Sequence, residues 1–254
     1  MSWNLLDWPR IFFVVCFILL WLSARAGLYL RKRRGAIGKD EREELNLVLT
    51  SALTLLALII GFTFSMAVGR YDLRKGNESI EANAISTEYL RAGILGAPDA
   101  PHLRSLLRQH IRQRIAAYQA GNESLETIYA STNATERAMW SIVERAGAAR
   151  PDSIRAQIVS GMNDVIDAEA SATAAWRNRI PVEGWVLMLA IAACCCALIG
   201  FDTKLSFGGL RGYMILPLLI SISFFLIADL DSVHGGMIRV TPDDLIAAAQ
   251  TMKR

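Results

Sequence analysis

Residues 45–68 read LNLVLTSALTLLALIIGFTFSMAV, twenty-four positions without a single charge. At about 1.5 Å of rise per residue, a helix of this length spans about 36 Å, enough to cross a hydrocarbon layer about 30 Å thick. Three more apolar blocks of similar size lie at 11–30, 182–201 and 213–230. Together they account for the composition of the 254-residue chain, which is 53% hydrophobic and 20% charged. The excess over a soluble domain sits in the blocks, and the rest of the sequence is ordinary. The pattern excludes a soluble enzyme, a nucleic-acid-binding domain and a disulfide-rich secreted module. It predicts an all-α polytopic membrane protein with four transmembrane helices and a helical extramembrane bundle between the second and third.

The chain divides accordingly into 1–69 (two spans and a basic connecting loop), 70–181 (a soluble helical insert), 182–230 (two more spans) and 231–254 (a C-terminal tail). The net charge of +3, from 27 Lys and Arg against 24 Asp and Glu, argues against a nucleic-acid partner. The first ten residues carry one Asp and one Arg and so lack the basic leader of a cleaved signal, which favours a retained first span. The first loop holds Arg25, Arg31, Lys32, Arg33, Arg34, Lys39 and Arg42, and the last adds Lys204 and Arg211. Short cation-rich loops stay cytoplasmic, so both termini and the insert are expected on the outer, periplasmic side of a bacterial inner membrane. Arg70, Arg74, Lys75, Arg177 and Arg179, flanking the insert, favour the reverse.

The insert reads as helices at 79–95, 102–120, 135–148 and 153–177, with Gly96, Pro98, Gly121-Asn122 and Pro151-Asp152 as punctuation. In the second, Leu103, Leu106, Leu107, His110, Ile111, Arg114 and Ile115 recur at intervals of three and four, an amphipathic stripe. The insert begins where span two ends and stops where span three begins. Both membrane helices are therefore expected to continue outward into it.

Span two also carries the most informative polar pattern. Asn46, Thr50, Thr54, Ala57, Gly61 and Ser65 are spaced 4, 4, 3, 4 and 4, which keeps them within about 100° of one helix face. Leucine, isoleucine and phenylalanine fill the other faces. Such a stripe is either a packing seam, because small residues let helices approach closely in lipid, or the lining of a pore. Around an oligomer axis it is both. In span three, Ala190, Ala193, Ala197 and Gly200 form a line better suited to packing, and Pro217 is expected to kink span four.

No catalytic constellation is present: there is no nucleophile–base pair, HExxH or phosphate loop with Lys. No enzyme activity, cofactor or metal is expected. Cys16 and the run Cys194-Cys195-Cys196 read as inert thiols inside apolar blocks. Asp229 and Asp231, at the end of span four, offer ion handling or a salt bridge to Arg70 or Arg179, with His234 near enough to join them. Glu81, Glu88 and Arg91 beyond span two offer the same pair of roles, Arg91 lying three residues after Glu88. Gly208-Gly209-Leu210-Arg211-Gly212 reads as a turn, and His102 and His110 as surface or core histidines.

Three stretches resemble the bestrophin-like bacterial membrane domain. They are Gly61-Phe62-Thr63-Phe64-Ser65-Met66 leading to Arg70-Tyr71, then Glu81-Ala82-Asn83-Ala84-Ile85 with Tyr89-Leu90-Arg91, and Ala228-Asp229-Leu230-Asp231 with Gly236-Met237-Ile238. The resemblance implies distant kinship to bestrophins, oligomeric anion channels whose second helix lines the pore and whose helical middle region is cytoplasmic. It makes a homo-oligomeric ion channel the first expectation. A membrane-anchored helical binding or sensor module without transport activity is the second. The expected partners are the lipid bilayer, further copies of the chain and ions.

Overall fold

A computed structural model describes residues 5–34, 38–120, 125–149, 153–202, 207–233 and 235–253. Every regular element among them is helical. In chain order the helices are α1 (Pro9–Arg34), α2 (Lys39–Arg91), α3 (Asp99–Gln119), α4 (Leu125–Ala149), α5 (Ser153–Arg177), α6 (Val182–Asp202), α7 (Phe207–Asp231) and α8 (Asp243–Thr251). Among the described residues four helical stretches are long and apolar enough to cross a membrane, and they contain the four blocks of the sequence. The chain forms two compact units, 1–69 with 179–238 and 70–178 with 239–254.

In the first unit α1 packs on α6 and α7. Its buried residues Phe12, Cys16, Leu20, Ala24 and Gly27 recur every three or four positions, which makes one apolar stripe. At one end of the seam Phe12 meets Trp185 edge to face at 5.0 Å, and Trp185 meets Phe224 at 6.1 Å. At the other end the backbones nearly touch. A Cβ on Gly27 would overlap the Ala197 carbonyl, and one on Gly200 would overlap the Ala24 carbonyl. The seam follows Trp185, Met188, Ala192, Cys195, Cys196 and Gly200. Ala190, placed on it by the sequence, is exposed. Of the four thiols Cys194 alone is exposed.

In the second unit α3 packs on α4 and α8, and α4 on α5. The core is built from Leu103, Leu107, Ile111, Met139, Ile142, Ile158, Met162 and Val165. Helix α8, absent from the sequence reading, is tied to α2 because the Leu245 N–H donates to Glu78 Oε1 at 3.0 Å.

As expected, span two continues outward into the helix read at 79–95. Residues 39–91 form one helix, about 80 Å long. Gly69 and Gly76 each cost a helix interior about 1 kcal/mol, too little to break a helix whose neighbours pack. The expected continuity into span three fails, because residues 178–181 leave the helix between α5 and α6. Pro181 lacks an N–H and disfavours helical backbone at Ile180. The Ile180 N–H is accepted instead by both oxygens of Asp231, at 3.2 Å. The glycines at 208–212 lie within α7 rather than in a turn, since the apolar span that follows carries the helix back through them. Helix α7 also runs unbroken through Pro217, where the Ser221 hydroxyl donates to the Pro217 carbonyl at 2.7 Å. Gly121-Asn122, Pro151-Asp152 and His234 lie outside the described residues.

Candidate functional site

The stripe of α2 is open along its whole length. Asn46, Thr50, Thr54, Ala57, Gly61 and Ser65 are all exposed. Of the most apolar 18-residue stretch of α2, 6% is buried, against 28% in α1 and 50% in α7. The lipid-like faces are uncovered too, with Leu47 71% and Phe62 67% exposed. Within the stripe the Thr54 hydroxyl donates to the Thr50 carbonyl at 2.8 Å, so its proton is spent along the helix and its oxygen lone pairs face outward.

Asp229 and Asp231 are buried, at 2% and 3% exposure. Asp229 accepts the N–H groups of Met237 at 2.7 Å and Ile238 at 2.8 Å, which brings these two residues back to the end of α7. Asp231 accepts from Ile180, as described. Arg179, one of the partners considered for these aspartates, pairs with Asp7. Both carboxylates thus serve backbone donors of residues outside the helices, which have no partner within a helix ladder.

The densest polar site lies inside the second unit, where α2, α3 and α5 each bring a charge to one point. Arg114 on α3 is fully buried. Its guanidinium donates through Nε to Glu81 Oε1, through Nη2 to Glu81 Oε2 at 3.4 Å, and through Nη1 to Glu169 Oε1 at 3.2 Å. The Tyr118 hydroxyl donates to Glu81 Oε2 at 3.3 Å. Tyr118 and Trp176 meet edge to face at 4.8 Å, with the guanidinium 5.4 Å from the Trp176 ring. His110 on α3 is also fully buried, and neither ring nitrogen has a hydrogen-bond partner. Its Nε2 lies 3.5 Å from Glu169 Oε2, an atom equally without a partner. Beside Glu169 opens a cavity of about 390 Å³, whose walls include Tyr129, Asn133, Glu136, Thr173 and Arg177.

Burial dominates the protonation of these groups, because it penalises charge. It pushes Glu169 up to about 8, against the pull of Arg114 and with the help of Glu136 nearby. It raises Glu81 as well, Arg114 again opposing. Burial and the neighbouring Arg114 together push His110 down to about 3. On Arg114 burial works against the charge, but Glu81 and Glu169 outweigh it and hold the guanidinium ionised.

Of the residues singled out in sequence, Glu81 belongs to this site. Glu88 and Arg91 lie two turns further along α2. Glu88 is fully buried against Gly161 of α5, and Arg91 sits 4.0 Å from Glu88 and 3.7 Å from Asp164. His110, Arg114, Tyr118 and Glu169 are site residues the sequence reading passed over. The available signal was an imidazole and a guanidinium on the apolar stripe of α3.

A sequence profile of the Bestrophin-like domain matches residues 12–245. Among solved structures, a single-site variant of a bacterial bestrophin homologue from Klebsiella pneumoniae superposes with a TM-score of 0.67 at 14% identity, over 95% of this chain and 94% of that one. A second crystal structure of the Klebsiella pneumoniae homologue gives 0.64 at 14% identity, over 96% of each chain. Another variant gives 0.62 at 14% identity, over 97% and 96%. No curated protein matches the chain.

Proposed function

The chain belongs to the Bestrophin-like family, and from that premise we propose that it is a homo-oligomeric ion channel of the bacterial inner membrane, with α2 lining the pore. Family and fold support an ion-channel kind of function. The finer reading is carried by one observation, the uncovered polar stripe Asn46–Thr50–Thr54–Ala57–Gly61–Ser65 on a helix that its own chain leaves almost bare. Turned toward lipid, these hydroxyls, the amide and the glycine gain nothing. Turned toward an axis shared by several copies, the small side chains allow close approach, and the oxygens replace part of an ion's hydration shell. The insert is proposed to lie on the periplasmic side, a placement supported by the cations of the two short loops.

Purified full-length protein in liposomes should pass anions or cations above the level of empty vesicles, and Thr50→Val with Thr54→Val should change that flux. Gly61→Cys, at a position where a Cβ meets nothing within 4 Å, should form a disulfide between copies under mild oxidation in a Cys194→Ala background. Absence of both flux and cross-link would overturn the channel. It would leave the second reading, a membrane-anchored binding module, for which the buried polar cluster and its cavity speak. Orientation is tested by Ser131→Cys, exposed on α4. An impermeant maleimide should label it in intact cells, and protection would reverse the topology.

A further inference from the structure

We propose that Glu81, His110 and Glu169, with Glu136 at the cavity wall, form a binding site for one divalent transition-metal cation. The proposal is independent of the channel reading, since all four residues lie within 70–178.

Three features of the cluster lead to it. The first is the pair of unpartnered atoms. His110 has no exposed surface, and both its nitrogens lack a hydrogen-bond partner, as does Glu169 Oε2. Buried polar atoms are almost always satisfied, and an imidazole with neither nitrogen bonded, facing a carboxylate oxygen, leaves a place for a third body. Their separation fits that body. At 3.5 Å the Nε2 and Oε2 atoms are too far apart for a well-formed hydrogen bond. Two ligands at about 2.0–2.1 Å from a tetrahedral ion lie about 3.3 Å from each other. Ligand atoms of Glu81, His110 and Glu169 all fall within 4.8 Å of one another.

The second feature is charge. Glu81, Glu169 and Glu136, when ionised, outnumber the guanidiniums of Arg114 and of Arg177 at the cavity wall, so the site favours a further cation. Arg114 and Tyr118 hold Glu81 in place while it binds. The donor set of one imidazole nitrogen and carboxylate oxygens favours zinc, manganese, iron or cobalt over calcium and magnesium, which prefer all-oxygen cages.

The third is access. The 390 Å³ cavity is lined by Glu136 and Glu169, so an ion has a polar way in from the surface. Its ligands come from α2, α3, α4 and α5, so the ion would tie four helices of this unit together.

The test uses tag-free, full-length protein in detergent, stripped with EDTA and titrated with ZnCl₂ or CoCl₂ alone. The expected result is one ion per chain, an intense visible Co²⁺ spectrum of tetrahedral type, and a rise in Tm on adding metal. Glu169→Gln and His110→Ala should each weaken binding at least tenfold and remove the cobalt spectrum, while His102→Ala, on the exposed face of α3, should change neither. Should His110→Ala fail to fold, Glu169→Gln, which keeps the side chain's shape, carries the test through the spectrum. Failure of the parent protein to bind overturns the proposal. So does affinity within twofold of the parent in both site variants, or loss of binding in His102→Ala.

Discussion

Asp229 and Arg114 are both charged side chains with almost no exposed surface, yet the two units of the molecule treat them differently. In the membrane unit Asp229 is given two backbone N–H groups, at 2.7 and 2.8 Å, and the helices around it close over small residues and aromatic rings. In the bundle unit Arg114 is given other ionisable side chains, Glu81 and Glu169, with His110 pressed beside them. Backbone donors are fixed by the fold and cannot titrate or leave. Side-chain partners can exchange a proton, or a metal, for one another. The membrane unit's buried polarity is therefore architectural, and the bundle unit's is chemical.

The largest effect should come from breaking the bundle's ion cluster. Arg114→Met roughly keeps volume and removes the guanidinium that bonds Glu81 and Glu169. Breaking a buried pair from one side costs about 3–5 kcal/mol, because the carboxylates left behind lose the charge that offsets their burial. Thermal unfolding in detergent, followed by helical circular dichroism, should show a markedly lower Tm than the parent. Adding Glu81→Gln and Glu169→Gln to Arg114→Met should recover much of the loss, since the orphaned charges go with it. If the triple variant is no better than Arg114→Met alone, the cluster is held by packing and the contrast with Asp229 disappears.

A smaller effect should come from the membrane unit, where shape replaces charge. Gly200→Leu drives a side chain into the Ala24 carbonyl of α1, a rigid backbone neighbour. Overpacking of this kind costs up to about 3 kcal/mol. Gly61→Leu, on the open stripe of α2 with no atom of its own chain near its Cβ, should lower Tm less than Gly200→Leu in the same assay. Equal losses at the two glycines would mean that α2 is as closely packed as α1, and the stripe would no longer stand open within a single chain.

The spans were legible because a membrane imposes a length and a polarity on each helix separately, and residues 45–68 carry both. The stripe of α2 was legible too, since helical spacing is local. The outward continuation of α2 was legible as well, because the insert begins where the span ends, although Glu78, Glu81 and Glu88 gave no local sign of their burial. Helix α8 escaped notice because nine residues, Asp243 to Thr251, are too few for a convincing period and are held by Glu78 from far away in sequence. The polar cluster escaped for the same reason. Glu81 and Arg114 are 33 residues apart, and Arg114 and Glu169 are 55 apart, so no local spacing connects them. His110 and Arg114, set among Leu103, Leu107 and Ile111, were the visible trace, a charge on a face that should have been apolar.

The finest effect separates the two units by pH. Glu88 has no exposed surface and no hydrogen-bond partner on either oxygen. The charges facing it are Arg91 on its own helix and Asp164 on α5. Burial, partly offset by Arg91 and reinforced by Asp164, raises its carboxyl from 4.5 to about 8. In the folded protein it therefore holds a proton at pH 7 that the unfolded chain has already released. Between about pH 4.5 and 8 the folded state binds the extra proton, so its contribution to stability is full below that window and falls as pH rises through it. Glu88→Gln mimics the neutral form and cannot titrate. The difference in Tm between Glu88→Gln and the parent should be small near pH 4.5, grow in the variant's favour up to about pH 8, and level off above it. A difference independent of pH would mean that Glu88 does not exchange a proton in this range, and one line of the contrast between the two units would fall.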